Sequence, residues 1–188
     1  MKNFFLLPLL FLLAFITDTY GQAGLPLDQQ LLLERFELSW DAPAVPYRAT
    51  KRPQNSFQSY DIGIVFRKAD LEIRYLLIPD ATGSDQELIP HLRAPRMAMH
   101  LASNDEDSYI AAHDLEPGEV DSLYDADWGQ KFFFSPKDIF SDAKDCEMIA
   151  LYREGVGMCY IFLLFEEAPA NLPELARLLR FKPHQLQN

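Results

Sequence analysis

The residues best able to do chemistry crowd into SLYDADWGQKFFF, residues 122–134. Asp125 and Asp127 set carboxylates at alternate positions, as the first ligands of a calcium loop do. Such a loop also requires glycine at its sixth position and glutamate at its twelfth. Counted from Asp125, those positions hold Gln130 and Pro136, so the calcium pattern is not completed. Trp128 and Phe132 to Phe134 could offer flat rings to a sugar or a peptide. Rings at this density more often fill an interior, each burying enough apolar area to contribute roughly 1.5–3 kcal/mol. The stretch therefore reads as the place where an acidic helix turns into a buried strand, with Gly129 permitting the turn.

The remaining reactive residues are dispersed. Histidines stand at 91, 100, 113 and 184, and no pair has the spacing of a zinc site. His113 and Asp114 suggest an acid–base pair, but neighbours on a strand point to opposite faces. His100, with Arg93 and Arg96, could form a small basic patch able to hold an anion. No G-x-S-x-G elbow, phosphate loop or dinucleotide fingerprint occurs. Cys159 lies in the most apolar segment, where a thiol behaves as a small hydrophobe. The candidate ligand-contacting residues are thus Trp128, Asp125, Asp127, His113, Arg96 and His100, with no catalytic residue, metal ligand or cofactor expected.

The address of the chain is legible at its start. Lys2 precedes the uncharged run Phe4 to Ile16, and Thr17 to Gly21 forms a short polar end. That order predicts a secretory signal peptide over residues 1–21, cut after Gly21, and a secreted or periplasmic protein. The apolar run is shorter than the roughly 20 residues a membrane helix needs, so no membrane span is expected after cleavage. Loss of the leader removes Lys2 and Asp18 and leaves the net charge at −11. That acidity argues against a nucleic-acid partner, which would require clustered Lys and Arg.

Residues 22–188 read as a single exported domain. FELSW suggests an N-terminal strand from Phe36 to Trp40. YDIGIVFRKADLEIRYLLIP alternates on both sides of Lys68-Ala69-Asp70 and predicts a hairpin, with Glu72 and Arg74 on a wet outer face. Ser84 to Glu87 has capping-box spacing, interrupted by Pro90, and Pro95 suits the first turn of a helix over PRMAMHLASN. A short strand is expected over Tyr109 to Ala112, and Pro117 opens a helix in which Val120, Leu123 and Tyr124 share a face. A second hairpin turns at Glu154-Gly155. Its arm Met158 to Phe165 is apolar at every position, as in a central strand covered on both faces. On that register Cys159 faces a residue near Ala150, too far along the strand from Cys146 for a disulfide without a bend. Asn171 caps a final helix that turns Leu175, Leu178 and Leu179 inward. These elements predict an α+β fold: an antiparallel sheet of two hairpins plus the N-terminal strand, with helices on both faces.

The order FELSW, hairpin, helix, ADWGQKFFF, cysteine, last hairpin and terminal LLRFK resembles a group of uncharacterised secreted bacterial proteins carrying ADWG followed by aromatics and a closing LRFK. It is also similar to the PsbP/Mog1-like α/β/α sandwich. The resemblance runs from Phe36 to Lys182 and implies a non-catalytic assembly or binding factor. The expectation is an exported domain that binds or assembles an extracytoplasmic protein or glycan. The alternatives are a small secreted hydrolase and a carbohydrate- or peptide-binding module built on exposed aromatics. A shallow apolar patch would favour a protein partner, and a deep pocket of convergent polar groups an enzyme.

Overall fold

The computed structural model describes residues 24–50, 57–80 and 89–183. The expected leader, the capping box at 84–87 and His184 lie outside them. The chain runs α1 (Leu27–Arg35), β1 (Leu38–Trp40), β2 (Arg48–Ala49), β3 (Ile62–Phe66), β4 (Leu71–Pro79), α2 (Pro90–Leu101), β5 (Ala111–Asp114), α3 (Pro117–Tyr124), β6 (Trp128–Phe134), β7 (Asp145–Arg153), β8 (Gly157–Phe165), α4 (Leu172–Leu175) and β9 (Leu179–Phe181). This is an α+β fold around a seven-stranded antiparallel sheet ordered β2-β3-β4-β8-β7-β6-β5.

The absence of alternation in β8 has a direct structural cause. The strand stands fourth of seven, pairing with β4 on one side and β7 on the other over nine positions each. Cys159, Ile161, Leu163 and Phe165 face a core shared with α1, α3, α4 and the β1–β9 ribbon. Met158, Tyr160, Phe162 and Leu164 face a second core under α2. Every β8 residue is buried, so apolar side chains are required at even and odd positions alike.

The β7–β8 turn is tight because Gly155 and Gly157 hold positive φ, and a Cβ on Gly157 would collide with the carbonyl oxygen of Ile78. Gly129 does not make a turn. It sits inside β6, where the missing Cβ lets Leu115, Leu151 and Val120 close over the strand. The turn out of α3 is made by Asp125, the helix C-cap in the left-handed region at φ 49°.

Further expectations are corrected. The N-terminal strand does not join the large sheet: β1 pairs with β9, Leu38 opposite Phe181 and Trp40 opposite Leu179. The closing helix accordingly stops at Leu175, and Leu179 and Phe181 alternate into the core as strand residues. α2 begins at Pro90, with Pro95 inside it; burial of Ala94, Ala98 and Leu101 against the sheet offsets the roughly 3 kcal/mol an internal proline costs. α1 was not anticipated. Only Gln29 and Leu33 of that helix are buried, while Leu27 and Leu31 are exposed, so it lacks an apolar stripe of helical period.

Glu72 and Arg74 are also not on the wet face expected for them. The segments around Tyr60 and Phe140 cover them, and the Arg74 side chain is only 12% exposed. Its guanidinium lies over the Tyr60 ring at 5.1 Å and the Phe140 ring at 4.9 Å. It forks onto Glu72 through two 2.8 Å hydrogen bonds and donates a third, of 2.6 Å, to the Phe140 carbonyl.

Candidate functional site

Residues 122–134 form the helix-to-strand junction described above. Phe132 and Phe134 are buried under α2, while Phe133 points to the opposite core, 6.4 Å from Phe165. Trp128 opens β6 opposite Tyr152 and is half-buried against the α2-side core. Asp127 spends its groups on structure: its N–H donates to the Tyr152 carbonyl, and its carboxylate accepts the Glu154 N–H at 2.8 Å. The Asp80 carboxylate accepts the Tyr152 hydroxyl and the Gly155 N–H at 3.2 Å each. Two carboxylates therefore clasp the β7–β8 turn, and Asp125 serves as a helix cap. Among the described residues no group of three or more His, Cys, Asp or Glu side chains is placed to hold a metal ion.

The other candidates are spread over both sides of the sheet. His113 is exposed on β5 opposite Lys131, and Asp114, its neighbour on the other face, accepts a 2.7 Å hydrogen bond from the Gln130 amide. Arg96 and His100 are exposed on α2. The His100 ring stacks on Phe57 at 4.5 Å, and Lys137 reaches over the same Phe57 ring at 5.7 Å while donating to the His100 carbonyl. The two thiols are buried and lie on opposite faces of the sheet. Cys159 pairs with Leu151 rather than Ala150, because the turn takes in Val156, and Cys146 pairs with Leu164. Burial pushes both thiols well above their ordinary pKa, which favours the protonated thiol over the reactive thiolate.

Two groupings escaped the sequence reading. The first is a charged cluster at the α3 end of the sheet. Lys131 stands 3.8 Å from Glu119, and Glu147 shares their face, its carboxyl raised by burial and lowered in part by Lys131. Tyr124, hydrogen-bonded to Arg177, is pushed up by burial to about 12 and stays protonated at neutral pH. Because the folded state raises the Glu147 pKa, its protonated form favours folding. That contribution is complete below the ordinary glutamate pKa and is lost as pH rises through the raised value. Glu147→Gln is therefore expected to raise the melting temperature at pH 7 and leave it nearly unchanged at pH 4. Calorimetry at the two pH values checks this, and an equal shift at both would contradict it.

The second grouping is the outer face of α2. Ile89, Leu92, Arg96 and Met99 follow one another at helical spacing on the side opposite the buried Ala94, Ala98 and Leu101. Leu92 is 49% exposed and Met99 60% exposed. Arg93 and His100 flank this stripe, and α2 contains no acidic residue in a chain whose net charge is −11. Ile139, also exposed, lies just beyond the C-terminal end of the helix, where the Lys137 N–H bonds the Leu101 carbonyl. The arrangement is a shallow apolar ridge with a basic border, able to bury side chains of another protein but offering no convergent acid–base geometry.

No family model, no curated protein and no solved structure matches the chain.

Proposed function

We propose that the chain is an exported, non-catalytic domain that binds or helps assemble an extracytoplasmic protein, and that the outer face of α2 is its contact surface. The observation that carries this reading is the exposure of Leu92 and Met99 on one ridge, with Arg96 between them and Arg93 and His100 alongside. Large apolar side chains standing together in water mark an interaction surface more than isolated ones do. The arginines add a preference for an acidic partner, since paired potentials steer association and set register. The leader pattern at residues 1–21 supports secretion or a periplasmic location. Helices on both faces of an antiparallel sheet are in keeping with a PsbP/Mog1-like sandwich and with kinship to the secreted proteins bearing ADWG and LRFK. Trp128, half-buried against the core, offers less to a sugar than the α2 ridge offers to a protein.

The double substitution Leu92→Glu/Met99→Glu tests the reading. Both positions are exposed, so stability should change by no more than about 0.5 kcal/mol per site. The complex formed in the native compartment should dissociate, and the variant should elute at its uncomplexed size. An intact complex with both glutamates present would rule out this face.

A further inference from the structure

The large sheet ends on one side at β5, and among the described residues no strand pairs with its outer edge. Alternate residues of an edge strand direct their N–H and C=O groups outward, which makes a template for another strand. Natural edges are blunted by short length, charged side chains, proline or a bulge, and β5 is short and carries one charge, Asp114. The strand carries Ala111, Ala112, His113 and Asp114 after Tyr109 and Ile110, which are 66% and 37% exposed. Tyr109 and Ile110 lie in no helix or turn, so the edge can be extended by two residues up to Ser108, whose N–H already donates to the Asp105 carbonyl.

We propose that a second copy of this chain adds its own β5 to this edge, antiparallel about a two-fold axis through Ala111. That register is self-complementary. Ala111 meets Ala111, where two small side chains allow close approach, and Ile110 meets Ala112. Tyr109 meets His113, ring beside ring. No like charges stand opposite one another, which cross-strand pairing requires. A closed two-fold pair also covers the β5 edge of both copies at once, so no third copy can pair there. The net charge of −11 opposes association, so pairing strengthens as salt screens the two copies from each other.

The test uses the chain as recovered from an exporting host. Sedimentation equilibrium should give a monomer–dimer equilibrium whose association constant rises with ionic strength. Ala111→Glu sets two carboxylates face to face at the axis and should weaken association roughly tenfold or more. Ile110→Lys, at an exposed position, should also weaken it while leaving the melting temperature unchanged. Ala111→Cys should form a disulfide-linked dimer under mild oxidation much faster than Ala112→Cys, whose partner across the axis is Ile110; the native thiols are buried and do not interfere. A monomer at all concentrations and salts, or equal cross-linking from the two positions, overturns the proposal. So does a chain that stays monomeric yet accepts a strand from another protein at this edge.

Discussion

Replacement of Phe162 by alanine is expected to lower the free energy of unfolding by about 3–5 kcal/mol, the largest effect of any single truncation considered. Phe162 sits in the middle of the central strand with no solvent exposure. Its ring packs edge-on against Phe140 at 5.5 Å and lies parallel to Tyr160 at 6.1 Å. Its strand neighbours are Arg74 and Met148, and Ala94, Ala98 and Leu101 of α2 belong to the same core. Interiors of this kind are close-packed, so the void cannot be filled by relaxation of one neighbour. For a chain of this length the loss should appear as a fall in melting temperature on the order of 10 °C. A fall of about 1 kcal/mol or less in denaturant titration would mean that α2 does not seal a packed core.

The second large effect is expected at Arg74. Arg74→Ala removes three hydrogen bonds and leaves the Glu72 carboxylate, 24% exposed, and the Phe140 carbonyl without this partner. Loss of a partly buried pair together with two cation–ring contacts should cost about 2–4 kcal/mol. Lysine should not restore it, because an ammonium cannot fork onto a carboxylate or stack between two rings. Arg74→Met keeps the apolar stem and separates packing from charge. Hydrogen exchange at Phe140 and Ser141 should quicken in Arg74→Ala, since the guanidinium ties their segment to the sheet. Unchanged exchange there would show that the segment is held by its own contacts.

The same residues explain what could be read in advance. The unbroken apolar run of β8 announced a strand covered on both faces, because no other environment tolerates apolar side chains at both parities. The alternation of Ile62, Ile64 and Phe66 with their neighbours announced β3 in the same way. Leu175, Leu178 and Leu179 misled because their spacing fits a helix, while the alternation of Leu179 and Phe181 about Arg180 fits a strand. The strand prevails because Leu38 and Trp40 of β1 are present to pair with it. Long-range pairing of that kind leaves no local trace.

The ridge on α2 was half visible. Arg96 and His100 stood out as a basic patch, but Leu92 and Met99 did not register as one face because Pro95 looked like a helix start. Once the helix runs from Pro90, Leu92 and Met99 are two turns apart on the same side. Nothing local marks Arg74 as covered, because the segments over it, around Tyr60 and Phe140, have no regular pattern.

We propose contact with another protein at α2, rather than a reaction inside the sheet, as the way the domain works. A photoreactive side chain placed at Met99 in the living host tests it most directly, with Asp121, exposed on α3 against the opposite face, as the control position. One discrete cross-linked protein is expected from position 99, diminished by Arg96→Glu, and none from position 121. Equal labelling from both positions, or none from Met99, would contradict it.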